Sequence, residues 1–360
     1  LLSLLASLNV QSSKLLLVQL IIRHGERAPI KEFTSESSSK FFPRGLEEIS
    51  DRGINNAAEM GSFFRKRYRT MGLLNGNIQN EEVFIRSSPI TRSLVSAVSF
   101  SNSFLGRPSN KMIPLIHTTQ NELEEQVLFI VESPLFRCRV LAKHNISDPL
   151  CRSSLLKEKI VSSYLVCTNF TYNSIEAALA EMEEPLLEMN EELRICASKY
   201  GKKIAYQALN IVTGVGNEFN VLRAKESIGP LMAIIKMNID KEMNGKAKER
   251  IRIYYTHDNV ILSLSQSLGI ISQFNGNSPE FSATIGIEMW QKREGIEIKI
   301  IMKNGIKNQL KEVARMNKST FDRQISPFVE RDFINIQWDE NLTETYSVAQ
   351  FHEDLQSAIV

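Results

Sequence analysis

Residues 23–29 read Arg-His-Gly-Glu-Arg-Ala-Pro, so two guanidiniums, Arg23 and Arg27, flank the imidazole of His24. Arginine's planar fork matches phosphate oxygens bidentately. A neutral imidazole nitrogen beside a phosphate held in that way can attack its phosphorus, which makes His24 a candidate nucleophile. Gly25 lets the backbone come close to a ligand. A lone histidine is more often a satisfied structural residue. The pattern changes those odds, because five specified positions at about 5% each recur by chance in about one chain of this length in ten thousand. Three further stretches stand out: Arg-Ser-Ser-Pro-Ile-Thr-Arg at 86–92, Pro-Leu-Ile-His-Thr at 114–118 and Tyr-Thr-His-Asp at 255–258. Arg86 alone is as readily a salt-bridged surface residue as an anion ligand, and its place at a strand end favours the ligand. A poor leaving group needs a proton donor. Asp258 can be that donor only while protonated, and with an ordinary aspartate value of about 3.9 this points to operation at about pH 4–6.

The elements around these residues are legible from periodicity. Residues 14–22 (KLLLVQLII) form a near-continuous apolar run ending at Arg23, the pattern of a central strand buried on both faces. A Ser-rich loop follows, then a helix over 51–70 whose apolar positions Ile54, Ala57, Ala58, Gly61, Phe64 and Tyr68 share one face. A short strand at 83–85 and a helix at 90–104 complete a β-α-β-α order, which predicts right-handed crossovers. Ser174 is the expected N-cap of a helix that Pro185 interrupts and that resumes to Tyr200; more helix is expected over 202–212 and 217–240. Residues 250–255 read as a strand ending at Thr256-His257-Asp258, with a helix over 259–268. Strands at 283–290 and 296–302 flank a turn and predict a hairpin. The chain beyond reads as polar and irregular. The expected fold is α/β: a doubly wound, mostly parallel sheet flanked by helices, with a mainly helical insertion. Its parts are a residual leader at 1–13, a discontinuous catalytic domain at 14–120 and 241–335, a helical cap at 121–240 and a tail at 336–360. The motifs fall at carboxyl ends of strands, where α/β sheets bind ligands.

Taken together, R-H-G-x-R-x-P, the 86–92 segment, the 114–118 segment and the His257-Asp258 dyad resemble the histidine acid phosphatases, a branch of the histidine phosphatase superfamily, over roughly 14–330. The resemblance implies that His24 is the nucleophile forming a phosphohistidine. It gives Arg23, Arg27 and Arg86 the phosphoryl oxygens, His257 a further donor to them, and Asp258 the protonation of the leaving group. Arg92 is expected to be structural or to support its neighbours. His117 is either such a support or a simple loop hydrogen bond, and His144 and His352 are expected to face solvent. Pro89 stands where the family usually carries aspartate, so a carboxylate that helps to position Arg86 is missing.

Composition bounds the partners. The 360 residues carry 43 Lys+Arg against 41 Asp+Glu, a formal charge of +2, which gives no electrostatic case for nucleic acid or anionic membrane. The expected partner is a small-molecule phosphomonoester or a phosphoprotein, with no nucleic acid, no stable membrane insertion and room for a homodimer. No cofactor and no metal are expected, since three arginines already neutralise a phosphate. The apolar start at residues 1–8 resembles the end of a signal-peptide core. Four sequons, at Asn145, Asn169, Asn317 and Asn341, favour the secretory route with it, hence a secreted or lysosomal enzyme. Cys138, Cys151, Cys167 and Cys196 are compatible with two disulfides in any of three pairings, or with four buried thiols. Three alternatives remain in view: a narrower phosphatase for inositol phosphates or lysophosphatidic acid, a sugar-phosphate mutase, and a catalytically silent secreted glycoprotein. Hydrolysis of p-nitrophenyl phosphate separates the last from the rest.

Overall fold

The apolar run after Ser13 becomes β1 (Lys14–Arg23), buried along nearly its whole length. The computed structural model describes residues 13–74, 82–106, 115–119, 170–184, 187–216 and 221–329. Within them a six-stranded sheet has the order β2-β3-β1-β4-β5-β6, where β2 is Val83–Ser87, β3 Ile251–Thr256, β4 Thr284–Lys292, β5 Gly295–Lys303 and β6 Lys311–Asn317. The α/β architecture is as expected. The sheet is mixed rather than mostly parallel: β2, β3 and β1 pair in parallel, while β4, β5 and β6 add antiparallel strands. Short turns join the second group, and a hairpin turn can only reverse a strand. β6 and the helix after it lie in the stretch expected to be irregular.

Helices cover both faces. On one, α1 (Asp51–Thr70) and α2 (Thr91–Leu105) pack Met60, Phe64, Tyr68, Phe100 and Phe104 against Leu20, Ile22, Ile85 and Ile253. On the other, α6 (Val221–Met243), α7 (Asp258–Ser267) and α8 (Lys318–Val329) share a core with Leu17, Ile21, Tyr254 and Ile287. α6, grouped by its sequence with the helical stretch 121–240, therefore packs on the sheet. A smaller cluster of Ile175, Ala178, Leu193 and Cys196 joins α3 (Tyr172–Glu181) to α4 (Glu191–Cys196). A π-helical turn, Ala197–Gly201, leads from α4 into α5 (Lys202–Thr213). The N-cap of α3 is Thr171, not Ser174: Thr171 Oγ1 accepts from the Ser174 amide at 3.1 Å. The other helix and strand bounds lie within a few residues of expectation. Cys138, Cys151, Cys167, His144, His352, the leader and the tail lie outside the described residues.

Two polar groups are buried deep in this core. Gln19, in the middle of β1, donates to Ile235 O on α6 at 3.1 Å and accepts from Asn238 Nδ2 at 2.8 Å. Glu288 on β4 is fully buried; its Oε1 accepts from Arg67 Nη2 at 2.8 Å and Tyr68 Oη at 3.2 Å, and its Oε2 from Trp290 Nε1 at 3.2 Å. Removing one partner of such a group leaves the others desolvated and unpaired. Glu288→Ala is expected to destabilise the fold by about 3 kcal/mol or more, read as a lower urea midpoint. A change below about 0.5 kcal/mol would show that α1 is not tied to the sheet through this carboxylate.

Candidate active site

The sheet brings the motifs together at one edge. Arg23 is in register with Thr256 across β1 and β3, the His24 amide donates to Thr256 O at 2.9 Å, and the Ser88 amide donates to Tyr255 O at 3.1 Å. The carboxyl ends of three adjacent parallel strands thus deliver His24, His257 and the 86–92 segment to one place. The loop after β1 lies against the start of α1, where a Cβ on Gly25 would sit 2.4 Å from Gly53 O and one on Gly53 2.2 Å from Glu26 O. Neither position admits a side chain. The Gly25 amide is held by Ser96 Oγ of α2 at 2.9 Å. Glu26 turns away toward α1, where its Oε1 accepts from Asn56 at 2.7 Å.

His24 is buried, and its Nδ1 lies 2.8 Å from Gly25 O. A carbonyl only accepts, so Nδ1 carries the proton and Nε2 keeps its lone pair. Burial, then the charges of Arg92, His257, Arg23 and Arg27, hold its pKa well below the ordinary histidine value. His257 is held well below that value by burial, then by Arg92, Arg23 and Arg27. The rings of the two histidines stand edge to face with centroids 5.2 Å apart, and His257 Nε2 is 2.9 Å from Ser88 Oγ. Both imidazoles stay neutral where an exposed histidine would be charged. Asp258 opens α7; its Oδ2 lies 2.7 Å from Arg23 Nη2 and its Oδ1 accepts from the Asn259 amide at 2.9 Å.

The arginines occupy unlike positions. Arg23 and Arg27 are buried beside Phe281, whose ring centroid lies 4.2 Å from the Arg23 guanidinium carbon. Arg23 Nη1 also donates to Pro279 O at 2.5 Å. Arg27 Nη1 donates to Glu176 Oε1 on α3 at 2.9 Å. The third arginine among these groups is Arg92, on the first turn of α2: it is buried and is the leading charge acting on both His24 and His257. Arg86 is half-buried on β2, in register with Tyr254, and its charge acts on the Tyr254 hydroxyl. Strand alternation explains this: Val83 and Ile85 face α1 and α2, while Phe84 faces the opposite core, and Arg86 follows Phe84. His117 takes the simpler of its two expected roles, pairing its backbone with Ile85 and Ser87 and stacking on Phe84 with centroids 4.7 Å apart.

Phe281, Glu176, Glu47 and Tyr172 belong to no motif and are not marked out by their sequence. Tyr172 on α3 is held protonated by burial and by the charges of Asp258 and Glu176. Among the described residues no group of three or more His, Cys, Asp or Glu has the arrangement of a metal site, and no helix is long and apolar enough to cross a membrane.

The two neutral histidines couple the site to stability. Unfolded, each takes a proton near its ordinary value of about 6.5, whereas folded it refuses one. Below that pH the unfolded chain binds more protons, so stability falls as pH drops, by at most about 1.4 kcal/mol per pH unit for each. Melting temperatures at about pH 7.5 and pH 5 should show a smaller acid loss in His24→Asn and His257→Asn than in the parent. Equal losses in all three proteins would refute the assignment.

Comparison with known proteins places this geometry. The sequence model described as histidine phosphatase superfamily (branch 2) matches residues 14–125 and 176–303. The chain is 26% identical over 302 residues to the testicular acid phosphatase of Mus musculus, covering 76% of this chain and 67% of that protein. It is 22% identical over 302 residues to the lysosomal acid phosphatase of Bos taurus, covering 80% and 70%. Among solved structures, the apo phytase of Hafnia alvei aligns with a TM-score of 0.63 over 88% of this chain and 97% of that one, at 16% identity. At that identity what is shared is the fold.

Proposed function

Because the chain belongs to branch 2 of the histidine phosphatase superfamily, we propose that it is an acid phosphatase that hydrolyses phosphate monoesters through a phosphohistidine on His24. The observation that carries this reading is the 2.8 Å contact of His24 Nδ1 with Gly25 O: a carbonyl only accepts, so the proton sits on Nδ1 and Nε2 is left as a nucleophile kept neutral by burial and by the surrounding cations. Arg23, Arg27 and Arg92 surround it with the donors that a transferring phosphoryl group needs.

In the first step, Nε2 of His24 bonds to phosphorus, the P–O bond to the alcohol breaks, and Asp258 gives its proton to the departing oxygen. In the second, Asp258 takes a proton from water, the hydroxide bonds to phosphorus, and the P–N bond breaks to return His24 and release inorganic phosphate. His257 donates to a phosphoryl oxygen while Ser88 holds its ring. A ring of guanidiniums repels a metal cation, so turnover of p-nitrophenyl phosphate at about pH 5 should survive EDTA. Loss of activity on chelation would overturn the metal-free route, and no turnover by folded protein would overturn the enzyme reading.

Arg92 takes the role that the resemblance gave to Arg86. Arg92→Ala should lower kcat/KM by about 10²–10³, the cost of removing one donor aimed at the transition-state charge, and Arg86→Ala by less than about tenfold. The reverse order would return the role to Arg86. The carboxylates of Glu176 and Glu47 beside the arginines favour small monophosphates over densely phosphorylated substrates. The testicular and lysosomal relatives and the four sequons support a secreted or lysosomal location.

A further inference from the structure

We propose that Glu47 is an internal anion: its carboxylate holds Arg92 while the site is empty, and a phosphoryl group must displace it before Arg92 can grip that group. The proposal rests on the phosphatase reading above and adds a residue that sets the affinity of that site for its substrate and product.

Three observations lead to it. First, Glu47 Oε2 accepts a hydrogen bond from Arg92 Nη1 at 3.2 Å, with the Glu47 side chain 47% exposed and that of Arg92 9%. The carboxylate therefore reaches inward from the rim to an arginine that is buried beside both histidines. Second, Arg92 keeps capacity in reserve, since its buried Nε has no hydrogen-bond partner among the described residues. An arginine with an unpaired Nε–H beside a buried histidine pair can hold a larger anion than the single carboxylate oxygen it holds now. Third, Glu47 stands at φ 65°, one of three non-glycine residues with positive φ among those described. Side chains other than glycine's disfavour that region, and they persist there where the surroundings over-determine the backbone. Here they do: the Glu47 amide donates to Pro29 O at 2.9 Å, the Ala28 amide to Glu48 O at 2.9 Å and the Ser50 amide to Glu26 O at 2.9 Å. The strand-like pairing of Arg27 with Ile49 completes the clamp. The left-handed residue is thus fixed to the loop that carries Arg27, and its side chain is delivered to Arg92.

The physical consequence is competition. A phosphate oxygen and the Glu47 carboxylate seek the same guanidinium, and two anions there repel. Because Glu47 is half-exposed and partly screened, displacing it is modestly unfavourable rather than prohibitive. The carboxylate weakens substrate binding and, equally, hastens the departure of inorganic phosphate, which binds the same groups.

The test measures the dissociation constant of inorganic phosphate by titration calorimetry on the full chain, with p-nitrophenyl phosphate turnover in parallel. Glu47→Gln keeps size and removes charge. Glu47→Gly removes the carboxylate at a backbone position that glycine adopts freely, and so guards against a folding artefact. Both should bind phosphate about three- to tenfold more tightly and lower KM by a similar factor, with kcat unchanged or reduced because release slows. Glu47→Asp, which keeps a carboxylate on the same clamp, should lie nearer the parent. Unchanged or weaker phosphate binding in Glu47→Gln and Glu47→Gly would overturn the proposal, weaker binding showing that Glu47 positions Arg92 instead. In that event a parent protein that still turns over substrate leaves the phosphatase reading intact. A parent that neither binds phosphate nor turns over substrate removes both.

Discussion

Replacing His24 by alanine should reduce turnover of p-nitrophenyl phosphate by about 10⁵–10⁶, the scale seen when a covalent catalyst loses its nucleophile. The size follows from how the site divides its work. On the proposed mechanism Arg23, Arg27 and Arg92 bind and orient the phosphoryl group, but a guanidinium stays protonated and carries no lone pair able to attack phosphorus. Among the described residues, the other neutral imidazole beside His24 is His257, whose Nε2 is engaged by Ser88 Oγ at 2.9 Å. Phosphate affinity should survive the substitution, because the cations remain and lose only a neutral neighbour. A parent protein quenched during turnover should carry an acid-labile phosphate that is absent from His24→Ala. Residual turnover above about one part in a hundred, or an unchanged phosphoenzyme signal, would move the nucleophile elsewhere.

Much of this was legible in the sequence because the chemistry is concentrated in short runs next to strongly patterned elements. The run at 14–22 predicts a buried strand whose end carries Arg-His-Gly, and that strand lies between β3 and β4. Thr-His-Asp at 256–258 ends a second such strand. The arginines are harder to tell apart for a reason of geometry. Arg86 and Arg92 both belong to the 86–92 segment, and a strand residue's face is set by alternation. Arg86 therefore points with Phe84, away from α1 and α2, while Arg92 lies on the first turn of the helix that follows the same strand and its charge acts on both histidines. A motif in one dimension does not record that change of direction. Phe281, Glu176 and Glu47 were invisible for another reason, since each reaches the site from a loop or helix remote in sequence. The edge strand β6 (KEVARMN) hid behind its exposed charges, as edge strands do. The spacing of Phe321, Ile325 and Phe328 in α8 is helical, but Pro327 within it reads as a breaker.

Asp258→Asn separates the two steps of the reaction. The amide is nearly isosteric, and its carbonyl oxygen still accepts from the Asn259 amide as Asp258 Oδ1 does at 2.9 Å. The ion pair with Arg23 at 2.7 Å is lost, and so is the transferable proton. In single-turnover experiments, transfer from an alkyl phosphate should slow by about 10²–10⁴, the range expected for a lost general acid. Transfer from p-nitrophenyl phosphate, whose phenolate departs without help, should slow by less than about tenfold. If the same carboxylate is the base of the second step, as proposed, steady turnover of the nitrophenyl ester should nevertheless fall. It should show an initial burst of nitrophenol while phosphohistidine accumulates. That combination distinguishes a proton donor from a residue that merely orients Arg23, because loss of orientation would weaken the grip on the phosphoryl group whatever alcohol is attached to it. Equal slowing for both leaving groups, without a burst, would remove Asp258 from the proton path and leave it a positioning partner of Arg23.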